Sequence, residues 1–177
     1  MLKKIIAKYL VTSFILLLDT SCIKTKEDGE VARELAESFV LTIDEKNTSS
    51  LKNLFSKEIT SSIETFDTDI TQLFEYYKGT STLKKFRTNV VTSGVQDELK
   101  TKYYEISYDI TTNIDVYRMY FLWYITYSLN EDLVGLWCFY IIRFEDDIDK
   151  DKIYFGDQYE TPGINIGKVW SYDDRFE

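Results

Sequence analysis

Residues 116–144 read VYRMYFLWYITYSLNEDLVGLWCFYIIRF, and they are the most apolar part of the predicted sheet. This stretch contains two apolar runs, 116–129 and 133–144, which are rich in aromatic and β-branched residues on both faces. Such runs are typical of strands that are buried within a sheet. Residues 130–132, Asn-Glu-Asp, supply a tight turn between them. The stretch therefore predicts two long central strands of an antiparallel sheet.

The sequence before this stretch first shows helical and then strand periodicity. Apolar residues recur every three or four positions through 31–43, and again from Ile63 to Tyr77. A short helix at 51–55 and a further helix start near Ser56 are predicted between them. The pattern changes at Thr80, after which residues 86–95 and 102–113 read as strands.

These patterns together predict a fold of the α+β class, with helices first and a sheet after them. We expect three N-terminal helices packed on a curved four-stranded antiparallel sheet. Neither an internal repeat nor an interdomain linker is visible, so residues 30–177 are predicted to form a single domain.

The N-terminus resembles a bacterial lipoprotein signal. Three lysines precede a ten-residue apolar run at 9–18, which is too short for the roughly 20 residues of a membrane span. Small residues then lead to Cys22, the predicted lipid attachment site, so we expect a signal peptide at 1–21 and a tether at 22–29. Asp19 stands where such signals usually carry leucine, which leaves an uncleaved anchor or a secreted protein as alternatives.

Charge and cysteine content agree with export and exclude some partners. The first 21 residues contribute +2 to the net charge of −9, which leaves −11 for the rest of the chain. A domain with this much negative charge repels nucleic acid, so we expect no nucleic acid as a partner. Cys138 is the only cysteine besides Cys22, and it is predicted to be an inert thiol on a buried strand.

The absence of histidine from the sequence removes histidine-based nucleophile systems and histidine-ligated zinc. Three aspartates, Asp147, Asp149 and Asp151, have the spacing that begins a calcium loop. The loop's sixth and twelfth positions, however, are Lys152 and Gln158 instead of glycine and glutamate. We therefore predict a solvated acidic turn, no bound metal, no organic cofactor and no catalytic residues.

Aromatic residues crowd the predicted strands and suggest a binding surface. Helices cover only one face of a sheet, so aromatic residues on the other face are expected to meet a partner, a second copy or solvent. Arg118 shares a face with Tyr120 and Tyr124, in a combination found at interfaces. The candidate surface or pocket residues are Arg118, Tyr120, Tyr124, Tyr104 and Tyr108.

Several segments resemble a bacterial domain of unknown function, family 5104. The segments are LKNLFSKEI, FDTDITQLFEYYKG, VYRMYFLWY, DLVGLWCFYIIR and YFGDQYETPGI. The resemblance implies a lipoprotein whose helices close a bent sheet in a cystatin-like or nuclear-transport-factor-2-like cone. It implies no activity and no catalytic residues.

The resulting expectation is a binding module without catalytic activity. It would be lipid-anchored at the extracytoplasmic face of the cell membrane, with an unknown protein or a small apolar ligand as its partner. An immunity protein against a secreted toxin and an isomerase-like enzyme that uses the cone's pocket are the alternatives.

Overall fold

The structure is a computed structural model that describes residues 27–96 and 99–169. At positions 83, 86, 88–96 and 99 it describes the backbone but not the side chains. The predicted signal peptide at 1–21, Cys22 and most of the tether lie outside the described residues. In the described part of the chain, no helix is long and apolar enough to cross a membrane.

Four helices open the described chain: α1 (Asp28–Asp44), α2 (Thr48–Leu54), α3 (Lys57–Ser62) and α4 (Phe66–Tyr76). Asn47 caps α2 by accepting the Ser50 N–H at 3.0 Å. The prediction of three helices was wrong because the third one is divided. Ile63 has extended backbone angles that end α3, and the chain re-enters a helix at α4.

Five strands follow: β1 (Ser81–Gln96), β2 (Leu99–Thr112), β3 (Val116–Tyr127), β4 (Gly135–Arg143) and β5 (Gly163–Ile166). They form one strongly curled sheet in the order β1-β2-β3-β4-β5. Strands β1 to β4 pair antiparallel as predicted, whereas β5 pairs parallel to β4. The prediction missed β5 because a four-residue strand is too short to show a periodicity.

The helices cover one face of the sheet, which we call the helix-facing face. Phe39 of α1 lies at its centre, with its ring 5.1 Å from that of Phe121 and 4.2 Å from that of Phe139. All three side chains are fully buried. The mixed α+β architecture is thus confirmed.

Candidate functional site

The second face of the sheet carries its own apolar core, which is covered by the chain itself. Residues 147–162, which we call the covering segment, run across this face between β4 and β5. Tyr154 from the segment packs on side chains of β3 and β4. The expectation that these aromatic residues meet a partner, a second copy or solvent is therefore wrong for most of this face. The core residues on the second face are Tyr120, Leu122, Cys138, Tyr140, Ile142 and Tyr154.

Arg118 anchors the start of the covering segment. Its side chain is only 1% exposed, and its guanidinium donates to the Asp147 carboxylate and, at 2.7 Å, to the Lys150 carbonyl. The Asp109 carboxylate lies 3.6 Å from the Arg118 Nε atom, and the Phe144 ring lies 4.8 Å from the guanidinium carbon. Arg118 is therefore a buried structural residue, and it does not form part of the exposed surface predicted for it.

The predicted acidic turn is only partly solvated. Asp147 is 9% exposed because it pairs with Arg118, and its second oxygen accepts the Asp149 N–H at 3.1 Å. Asp149 and Asp151 remain exposed or half-exposed at the surface. Among the described residues, no group of three or more acidic or cysteine side chains could hold a metal ion.

Tyr120 and Tyr140 hold the middle and the end of the covering segment. The Tyr120 ring packs edge-on against Phe155, with 5.6 Å between centroids. The Tyr140 hydroxyl donates to the Asp157 carboxylate at 2.7 Å and accepts the Thr161 N–H at 2.6 Å. These two hydrogen bonds of the Tyr140 hydroxyl hold the loop at 157–161 against the sheet.

Tyr104 and Tyr108 lie on the opposite, helix-facing face and are buried. Their hydroxyls donate to carboxylates of α1, Tyr104 to Asp28 at 2.8 Å and Tyr108 to Glu37 at 3.2 Å. Burial, followed by these carboxylates, raises the pKa of both phenols. The two tyrosines fasten α1 to β2, and the structure does not bring them together with Tyr120 and Tyr124.

The covering segment leaves one end of the second face partly open. Four half-exposed aromatic side chains lie there: Tyr103, Tyr124, Tyr127 and Trp137. The Tyr124 ring is central, 5.6 Å from Tyr103, 5.5 Å from Tyr127 and 6.3 Å from Trp137. We call this group the tyrosine surface. Of the five predicted residues, Tyr124 is the one that lies on it.

A cavity of about 260 Å³ lies on the same face, and its lining carries two carboxylates. The Tyr120 hydroxyl donates to the Glu105 carboxylate at 3.2 Å. Burial raises the pKa of Glu160, and the charge of Glu105 raises it further. The Glu160 charge also contributes to the raised pKa of Tyr124, so the cavity and the tyrosine surface are electrostatic neighbours. We call it the carboxylate cavity; its lining is Glu105, Tyr120, Phe155, Gln158 and Glu160.

A larger cavity, about 680 Å³, is formed by the covering segment itself together with Val169. Its lining includes Asp147, whose carboxylate is already engaged by Arg118. No described residue of β2 or β3 lines it. The carboxylate cavity is the stronger candidate because strands β2 and β3 position Glu105 and Tyr120 in its lining.

Cys138 is confirmed as a buried core residue with no exposed surface. Burial, and next the Glu160 charge, raise the pKa of its thiol far above the usual range. Because the thiolate is the nucleophile, this cysteine is unreactive at neutral pH.

Sequence reasoning did not identify Glu105, Phe155 and Glu160 as site residues. Glu105 alternates with apolar residues along β2, but nothing in the sequence distinguishes it from Ser107 and Asp109. Phe155 and Glu160 lie in a segment without periodicity, so only the fold places them beside Tyr120.

The family model described as domain of unknown function (DUF5104) matches residues 38–144, which is more than half of the chain. The match confirms the resemblance from the second half of α1 through α2, α3, α4 and strands β1 to β4. The closing YFGDQYETPGI segment at 154–164 lies outside the matched residues. No curated protein matches the chain.

Proposed function

We propose that this chain, which belongs to the DUF5104 family, is a non-catalytic binding module held at the extracytoplasmic face of the cell membrane. The lysine-rich start, the short apolar run and Cys22 support a lipid anchor. An anchored domain has a high effective concentration toward partners near the membrane.

For the fold we propose a cystatin-like or nuclear-transport-factor-2-like cone. The helices on one face of a strongly curled sheet support this assignment. Here α1 fills the helix-facing face with Phe39, so we place the binding site on the second face.

One observation carries the functional proposal. Tyr103, Tyr124, Tyr127 and Trp137 remain half-exposed together, on a face that the covering segment otherwise closes. Contiguous, partly exposed aromatic residues beside polar groups are characteristic of interaction sites.

The test is capture of a membrane-proximal partner by the full lipid-anchored chain, comparing wild type with Tyr124→Ala. Tyr124 is preferable to Arg118 or Tyr120, because those two are buried under the covering segment and their loss would perturb the fold. The control is Ile114→Ala, which removes an apolar side chain that is 67% exposed in the turn after β2.

We expect Tyr124→Ala to abolish retention of a partner that both wild type and Ile114→Ala retain. The melting temperature of each variant should be measured alongside, so that a loss of binding is separated from a loss of fold. Equal retention by a folded Tyr124→Ala protein would contradict the proposal.

An immunity protein against a secreted toxin is a second candidate. The carboxylates at the cavity and the net charge of −9 favour a basic protein partner. A toxin encoded beside this chain, whose toxicity the chain suppresses in cells, would support it. Unchanged toxicity in the presence of the anchored chain would exclude it.

A further inference from the structure

The carboxylate cavity is lined with hydrogen-bond acceptors and aromatic rings. The side-chain carboxylates of Glu105 and Glu160 supply hydrogen-bond acceptors, and Gln158 adds an amide oxygen. Glu105 is half-buried, whereas Gln158 and Glu160 are exposed, so the cavity is open to solvent. The rings of Tyr120 and Phe155 complete the lining. This combination favours a cation that both donates hydrogen bonds and packs on aromatic rings.

The two carboxylates have no cationic neighbour in the described structure. Within residues 27–96 and 99–169, none of the ion pairs involves Glu105 or Glu160. The hydroxyl of Tyr120 is the partner that Glu105 does have. The Glu105 charge also raises the pKa of Glu160, which means that the two negative charges repel each other. A bound cation would relieve this repulsion.

The loop that carries Gln158 and Glu160 is fixed before any ligand arrives. Both residues have left-handed backbone angles, with φ of 65° and 52°, a conformation that costs energy for residues other than glycine. Hydrogen bonds between the Tyr140 hydroxyl and the loop hold it at Asp157 and Thr161. Asn165 of β5 adds a bond from its amide to the Thr161 carbonyl at 2.8 Å. Such preorganisation lowers the entropy cost of binding.

We propose that the carboxylate cavity binds a guanidinium group. This inference deepens the proposed binding function and rests on it. A guanidinium offers five N–H donors in a plane that fits carboxylates in pairs and stacks on aromatic rings. A quaternary ammonium has no N–H donor and would add no hydrogen bond to either carboxylate. The volume of about 260 Å³ suits a single head group better than a whole drug-sized molecule.

The guanidinium has two possible sources, a free small molecule or an arginine side chain on a partner. The cavity adjoins the tyrosine surface, since Tyr120 of its lining belongs to the apolar cluster on which Tyr103, Tyr124 and Trp137 pack. A partner that covers the tyrosine surface could therefore place an arginine in the cavity.

The experiment titrates the full chain, in a neutral detergent, with three probes followed by saturation-transfer NMR. The probes are N-acetyl-arginine amide, the lysine compound and the citrulline compound, which is a neutral isostere of arginine. We expect the arginine compound to bind at least about tenfold more tightly than the citrulline compound, as charged hydrogen bonds allow. Equal binding of the arginine and citrulline compounds would overturn the proposal, and so would tighter binding of the lysine compound.

Charge-neutral variants locate the site. Glu105→Gln and Glu160→Gln should each weaken arginine-compound binding by about tenfold. Glu75→Gln makes the same charge change at an exposed position on α4 and should leave the affinity unchanged. An equal loss in all three variants would show that net charge alone attracts the probe, which contradicts the proposed cavity.

Competition separates this inference from the proposed function. If the arginine compound displaces a partner whose retention needs Tyr124, an arginine on that partner is the source. If the compound binds while no partner depends on Tyr124, the cavity assignment holds with a free guanidinium ligand, and the proposed partner site on the tyrosine surface fails. If a Tyr124-dependent partner is retained and the compound does not bind, the guanidinium inference fails alone.

Discussion

Replacing Arg118 with methionine should strongly destabilise the fold, because it leaves a carboxylate buried without its counter-ion. Asp147 is 9% exposed, and Arg118 is the cation that it contacts. Asp109 is less affected, since Arg87 pairs with it at 2.5 Å through its Nε atom. Removing one partner of a buried ion pair costs about 3–5 kcal/mol of stability. We expect Arg118→Met to lower the free energy of unfolding by an amount in this range.

The double variant Arg118→Met/Asp147→Asn tests the reason for that loss. Asparagine keeps the oxygen that accepts the Asp149 N–H and removes the charge. Replacing both members of a buried ion pair by neutral residues is often close to neutral. The double variant should therefore be at least about 2 kcal/mol more stable than Arg118→Met alone.

The assay is urea denaturation of the full chain in neutral detergent, followed by tryptophan fluorescence. Such unfolding gives the free energy in water by linear extrapolation. The reasoning would be refuted if Arg118→Met cost less than about 1 kcal/mol, or if the double variant were no more stable than the single one. Either result would mean that the Arg118–Asp147 contact does not hold the covering segment.

Two further predictions concern the stability of the fold, and a third concerns the membrane anchor. Gly156→Ala should cost about 1–3 kcal/mol of stability, because φ is 66° and the new Cβ would lie 2.7 Å from a buried tyrosine ring. Gly167→Ala is the matched control in urea denaturation and should cost less, since φ is 72° there but nothing lies within 4 Å. Glu160→Gln should stabilise the fold at pH 7, because burial and the Glu105 charge raise the pKa of Glu160 and disfavour its charged form in the fold. This gain should vanish as the pH falls below the ordinary glutamate pKa of 4.5, and a gain that persists there in thermal unfolding would contradict the stated cause. Intact mass of the membrane-extracted protein should show a lipid on Cys22 as the mature N-terminus, whereas an unmodified chain that retains its first methionine would contradict the anchor.

The sequence predicted those parts of the fold that repeat a pattern over many residues. Helix α1 and strand β2 each repeat their pattern over several turns or alternations, and β3 and β4 each lie within a long apolar run rich in aromatic and β-branched residues. Strand β5 was not predictable, because four residues after a turn carry no periodicity. The division between α3 and α4 depends on the backbone at Ile63, which the apolar pattern does not reveal.

The candidate site was predictable only in part, for a reason of topology. Tyr120 and Tyr124 were assigned to one face with Arg118, and strand alternation does place them there. Nothing in the sequence showed that residues 147–162 return across that face and bury Arg118 against Asp147, 29 positions away. The assembly of Glu105 with Glu160 depends on the same crossing, which is a long-range contact that no local pattern encodes.

The tyrosine surface is the proposed contact site for a partner at the membrane. A photo-crosslinking amino acid at position 124 of the lipid-anchored chain tests this contact, with the same amino acid at position 114 as the exposed control. We predict a specific crosslinked product from position 124 on irradiation of intact cells, and none from position 114. Products of equal yield from both positions, or a product from position 114 alone, would contradict the account.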